Sequence, residues 1–264
     1  MKKTINIFLF ALVMLEGTAS NAQNTQAPPT QQVNRIDERK LEIAKELTSW
    51  LRSTLQSEKA LVAVVARKGG KDAKKHDKTG MAHSGLAVYD PRAKTYIIYN
   101  LLNSSSSGQP LSKIYRTAPV NFFYGQTGYE TNALIMLPDE ITQKRIYEAI
   151  LDGRYKKLFF TNKYNLLAHY ASSSSMNCNK WLLMNVVAAR IDDYDVQNVL
   201  QTIEEGFNVK PLDLSILENM VVRKKKNVRA SEIQGNRVYT VTVESLYLSR
   251  DLFPKSYFYK ESSK

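Results

Sequence analysis

The chain has 264 residues, 43% of them hydrophobic, and 37 Lys and Arg against 25 Asp and Glu give it a net charge of +12. That length and composition suit one large domain with a real core, and the positive excess favours anionic partners. A single cysteine rules out an internal disulfide, and three scattered histidines beside it give no metal-ligand spacing.

Lys2 and Lys3 precede a largely apolar run from Ile5 to Leu15, followed by Ser20, Asn21 and Ala22 in the pattern of a signal-peptidase site. Residues 1–22 therefore read as a cleaved signal peptide, because the run is too short to cross a bilayer and starts from a basic end. This predicts a periplasmic or secreted protein with no transmembrane span once the signal is removed. Export argues against nucleic acid and for a cell-envelope partner: a peptide, a lipid or an acidic polymer. Residues 23–34, rich in Gln, Pro, Thr and Ala, read as a flexible leader. Residues 35–264 read as a single domain with an N-terminal helix and a C-terminal β extension.

Within that domain, Leu41, Ala44, Leu47, Leu51 and Leu55 recur at helical spacing and predict an amphipathic helix from Ile36 to about Ser57. Leu61 to Ala66 is a short buried strand. The basic stretch from Arg67 to Thr79 is a loop. Ala82–Tyr89 and Thr95–Leu102 are strand-like and are joined by Asp90-Pro-Arg-Ala93, so they form a hairpin. Val120 to Tyr124 is aromatic, and Ala133 to Leu137 is a strand. Pro138 and Asp139 open a helix running to Leu151. Ser172–Ser175 is a flexible loop, Trp181–Arg190 is a buried helix, and Val196–Glu205 is a second one ending at Gly206. Arg237 to Leu248 alternates, with Gln234-Gly-Asn236 as a turn before it, and reads as a hairpin or edge strand. Strands and helices are segregated, which predicts an α+β fold with a small antiparallel sheet packed against helices. The charge runs Lys68–Lys78 and Arg223–Lys226 read as solvated loops. Lys68-Gly-Gly-Lys71 lacks the strand–loop–helix form of a phosphate loop, and no cofactor is expected.

The lone thiol is the centre of interest. Cys178 stands where Ser172-Ser-Ser-Ser-Met-Asn177 gives way to a helix, so free backbone N–H groups favour a thiolate and can hold an oxyanion. A cysteine nucleophile needs a base and a group to orient it. His83 ranks first, because a strand holds an imidazole rigidly and Gly85 permits close approach. His169 ranks second and His76, in the basic loop, last. Asn100, a polar residue inside the apolar run Ile97–Leu102, either orients His83 or is satisfied by backbone near the strand end. Asn177 and Asn179 read as local hydrogen-bonders, Trp181 as the anchor of the Cys helix, and Arg67 as a neighbour of the site. Against all this stands the plain reading of a lone cysteine as a buried core residue.

A His-x-Gly on one strand, a polar residue on the next and a later Asn-Cys opening a helix resemble a circularly permuted papain-like hydrolase or acyltransferase. In such forms, as in the lecithin:retinol acyltransferase-like group, His precedes Cys. Ala66–Asp72, Ala82–Val88, Leu101–Asn103, Ile114–Arg116, Val120–Phe123, Lys163–Asn165, Asn177–Leu182 and Thr242–Ser245 are similar to an exported bacterial family, domain-of-unknown-function family 2145. In that family's pattern the second strand carries His where this chain has Asn100. The resemblance implies a permuted papain-like fold and a Cys178–His83–Asn100 site for amide, ester or thioester chemistry on cell-envelope material. The alternative is a non-catalytic periplasmic binding or assembly protein that retains the fold.

Overall fold

The computed structural model describes residues 37–69, 77–104, 110–126, 131–225 and 227–260. The expected signal peptide and leader, and His76, lie outside the described residues. Helix α1 (Glu38–Ser57) starts at Asp37, whose carboxylate accepts the Lys40 N–H, and buries Ile43, Ala44, Leu47, Leu51 and Leu55 along one stripe. Strands β1 (Val62–Lys68), β2 (Met81–Asp90), β3 (Thr95–Asn103) and β4 (Ser112–Thr117) follow. Helix α2 (Pro119–Tyr124), with Pro at its first turn, turns the aromatic run inward. Strand β5 (Asn132–Leu137) leads to α3 (Glu140–Asp152), which Asp139 caps through the Thr142 N–H and Gly153 ends in a left-handed conformation, φ +85°. Then come α4 (Cys178–Ile191), α5 (Val196–Gly206), β6 (Leu212–Asp213), α6 (Ile216–Arg223), β7 (Ile233–Gln234), β8 (Arg237–Val238), α7 (Val243–Leu248) and β9 (Lys255–Lys260).

The result is an α+β fold. Six antiparallel strands in the order β4-β3-β2-β1-β5-β9 form the main sheet, and β6-β8-β7 form a small second one. Strand β1 is apolar on both faces because helices cover both sides of the sheet. Its Ala63 and Val65 pack with α1 and α2, while Val62, Val64 and Ala66 pack with α3 and α4. The same alternation runs along β2, where Ala87 faces α1 and α2 while Leu86 and Val88 face α4. Helix α4 is buried from Cys178 to Ala189 and forms the centre of the larger core.

Two expectations are corrected. Arg237–Leu248 is not one strand: after the two residues of β8 the chain enters α7. The Thr242 side chain accepts the Ser245 N–H and the Ser245 hydroxyl caps Thr242 in return, so a reciprocal capping box overrides the two-residue alternation. The serine stretch is not a loose approach. Glu232 accepts hydrogen bonds from the Ser174 and Ser175 hydroxyls, and the buried Lys180 ammonium donates to the carbonyls of Ser172 and Ser175.

One irregularity of the sheet positions the site. Strands β2 and β3 pair only from Leu86↔Tyr99 to Asp90↔Thr95. Before Leu86, β2 keeps β1 as its partner, with Ala66↔Ser84 and Arg67↔His83 in register. Beyond Tyr99, β3 keeps β4, with Asn100↔Tyr115 in register. The two strands therefore part at one end, and the start of α4 lies against that opening.

Candidate functional site

Asn177 caps α4: its side-chain oxygen accepts the Lys180 N–H at 2.9 Å, and its amide nitrogen donates to Leu166 O and Thr240 Oγ1. Cys178 is thereby fixed as the first helical residue, 7% exposed. Its sulfur faces the backbone N–H groups of Ser84, Asn179 and Cys178 itself, each of which favours the thiolate, as does the Arg67 charge. Burial outweighs them all and pushes the Cys178 thiol up from its ordinary value. The depressed pKa expected from the helix start is therefore not realised, because removing the thiolate from water costs more than the N–H groups return. The thiol donates to Asn179 Oδ1 at 3.6 Å. Asn179 Oδ1 also accepts from the Ser84 hydroxyl, and its Nδ2 donates to Val241 O at 3.1 Å.

His83 precedes Ser84 and faces the other way. Ser84 points at α4, whereas the His83 ring lies 5.5 Å from the Phe122 ring of α2. His83 Nε2 lies 3.4 Å from Asn100 Oδ1. The hydrogen bonds behind Asn100 fix its orientation. The Thr117 hydroxyl donates to Ile98 O at 3.3 Å, so it must accept from Asn100 Nδ2, and Asn100 presents its oxygen to the ring. Nε2 then carries the proton and Nδ1 is the basic nitrogen. Burial and the Arg67 charge pull the His83 pKa down to about 3, against a smaller upward pull from Asn100, so the ring is neutral at pH 7. No hydrogen bond joins Cys178 Sγ to His83 among the described residues. The structure brings His83 and Asn100 together and sets the thiol against the backbone of the next residue, Ser84.

Arg67 lies opposite His83 on β1, and its guanidinium carbon sits 5.2 Å from the Phe122 ring centre. Its charge reaches both His83 and Cys178. Burial pulls its own pKa down to about 10. Tyr164 is buried close enough to Cys178 that a thiolate pushes its pKa further up, beyond the effect of burial. His169, the second candidate base, is committed elsewhere: Nδ1 accepts the Ala171 N–H at 3.3 Å and the ring stacks on Tyr170. Trp181 is fully buried in the larger core, 6.5 Å from the Tyr155 ring. No group of three or more His, Cys, Asp or Glu able to hold a metal occurs among the described residues. No helix among them is long and apolar enough to cross a membrane.

A family model, described as an uncharacterized protein conserved in bacteria (DUF2145), matches residues 54–248. The chain belongs to this family. The matched span of this DUF2145 protein contains Arg67, His83, Asn100, Tyr164 and Cys178, together with four of the five strand pairings of the main sheet, and it ends before β9. No curated protein and no solved structure matches the chain.

Sequence reasoning missed Ser84, Thr117, Tyr164 and Glu232. Ser84 was readable as the residue after the candidate histidine, but strand alternation alone gives it the opposite face and so no evident part in the same site. Thr117 and Glu232 meet the site only through folding, one from β4 and the other from the turn before β7. No local pattern marks either.

Proposed function

We propose that this DUF2145 protein is an exported thiol hydrolase or acyltransferase acting on amide, ester or thioester bonds of cell-envelope material. The proposal includes a circularly permuted papain-like arrangement, in which the histidine strand precedes the cysteine helix. The observation that carries it is the setting of Cys178: a sulfur at a helix start, ringed by three backbone N–H groups, against a strand whose preceding residue is a neutral histidine held by Asn100. In the reaction, His83 Nδ1 takes the thiol proton as Sγ bonds to the substrate carbonyl carbon. The carbonyl oxygen gains the negative charge and rests on the N–H groups of Cys178 and its neighbours. Collapse expels the amine, alcohol or thiol, which receives the proton from His83. Water or a second nucleophile then releases the acyl group. The thiol must leave Asn179 Oδ1 and turn toward His83 as substrate enters. Signal-peptide processing near Ala22 delivers the enzyme to the envelope, and the positive excess of the chain suits acidic polymers or lipid headgroups there.

A second reading is a non-catalytic envelope protein that retains the fold. The direct Cys178–Asn179 hydrogen bond and the raised thiol pKa favour it. Alkylation of Cys178 by iodoacetamide decides between the two. In the first reading the wild type reacts at least tenfold faster than His83→Ala near pH 7.5. Equal rates in the two proteins reject the thiol–imidazole pair and leave the binding role.

A further inference from the structure

A buried arginine without an acid is unusual, because removing a guanidinium from water is costly unless its N–H groups are bonded. Arg67 is half-buried as a residue, but two of its three guanidinium nitrogens are in that position. Nε and Nη1 are shut off from solvent and have no hydrogen-bond partner, and no carboxylate pairs with the side chain among the described residues. The Phe122 ring lies under it. The main chain leaves room for it at one point: a Cβ on Gly125 would stand 2.7 Å from Nη1 and 3.2 Å from Cζ. Arg67 shares the Phe122 ring with His83, its register partner across β1 and β2, and His83 is followed by Ser84, whose hydroxyl bonds the residue after Cys178.

We infer that Arg67 is the anion-binding residue of this site and that its ligand is a carboxylate on the molecule brought to Cys178. A planar carboxylate suits a guanidinium, since it can take two parallel N–H bonds from one edge and satisfy a nitrogen that has no other partner. One cation matches one negative charge, whereas a phosphate dianion would stay half-compensated. The ligand class is therefore an acyl compound with a free carboxylate near its reactive carbonyl. The choice of substrate rests on the thiol reading above, but the anion site itself does not.

Two measurements test this. Iodoacetate and iodoacetamide alkylate a thiol by the same step: Sγ bonds to the CH2 carbon, iodide leaves, and the thiol proton is lost to base. They differ in carrying a carboxylate or its neutral amide. With Arg67 as the anion site, the iodoacetate-to-iodoacetamide rate ratio of Cys178 is at least tenfold above that of glutathione. In Arg67→Met, and in Gly125→Ala, whose methyl group displaces the guanidinium, the ratio returns to the glutathione value. A wild-type ratio equal to glutathione's, or a ratio that survives in Arg67→Met, overturns the inference and leaves Arg67 as a group that only tunes the thiol. The second measurement needs no reactive cysteine. Replacing chloride by acetate at constant ionic strength, up to 0.2 M, raises Tm by about 2–4 °C in the wild type and in Cys178→Ser, but not in Arg67→Met. No acetate-specific rise overturns the anion site. A rise that depends on Arg67 without labelling by either reagent keeps the anion site and rejects the thiol chemistry.

Discussion

Gly85→Ala tests whether the close approach of β2 and β3 holds the His83–Asn100 pair. The backbone of Gly85 has no positive φ, so alanine suits its conformation, and any cost must come from crowding. A Cβ there would lie 2.6 Å from Ile98 Cγ2, 3.0 Å from Tyr99 O and 3.2 Å from Asn100 Cβ. Carbon atoms rest at about 3.5–4.0 Å, so the first contact is short by roughly 1 Å. Ile98 cannot swing aside, since it is β-branched and fully buried between the strands and α2. The carbonyl of Tyr99 is main chain. Relief must therefore come from β3 moving outward, which carries Asn100 away from His83. Overpacking of this kind costs about 1–3 kcal/mol, or roughly 2–12 °C in Tm for a domain of this size. Calorimetry of wild type and variant measures the loss, and iodoacetamide labelling follows the thiol in the same samples. An unchanged or higher Tm would refute the crowding argument and with it the claim that Gly85 sets the spacing at the site.

Two further outcomes follow from the buried charges. His83 is neutral in the folded chain with its pKa pulled down to about 3 from 6.5, so the unfolded chain binds the extra proton first. Stability is intact above pH 6.5 and is lost as pH falls toward 3, by about 3 kcal/mol between pH 7 and pH 4. Denaturant titrations at those two pH values should show that loss in the wild type beyond whatever His83→Gln loses, and parallel losses would mean that the ring accepts a proton in place. Lys180→Met removes the ammonium that holds the Ser172 and Ser175 carbonyls and should cost about 1–3 kcal/mol. Limited proteolysis should then cut within Ser172–Ser175. Resistance equal to that of the wild type would show that Glu232 alone holds the stretch.

Much of the sheet was legible because its strands are long, apolar and bounded by turn residues. The β2–β3 hairpin needed only two β-rich runs and Asp90-Pro-Arg-Ala93, and α4 was legible from the mostly apolar stretch Trp181–Arg190. The turn Gln234-Gly-Asn236 announced the short β7–β8 hairpin, but strands β9 and β6 were not legible. Each depends on a partner far away in sequence: Tyr257 finds Ile135, and Leu212 finds Val238. The run after β8 misled because Tyr239, Val241 and Val243 alternate, while a capping box of two hydroxyl residues decided the backbone.

The candidate site was named as a set of residues but not as a geometry. Cys178, His83 and Asn100 each stood out by chemistry, yet their relative placement follows from strand parity, and parity depends on which face α4 covers. Because α4 packs on the face of Leu86 and Val88, Ser84 meets the cysteine helix and His83 meets α2. A thiol and an imidazole on opposite faces of one strand can meet only around its free edge. Strand β2 has no β3 residue in register before Leu86, although Gly85 and the His83 ring still lie against Asn100. There the Ser84 N–H is close enough to the sulfur to favour the thiolate. A β3 that paired with β2 as far as His83 would close that edge and leave the imidazole and the cysteine helix on separate faces of a continuous sheet.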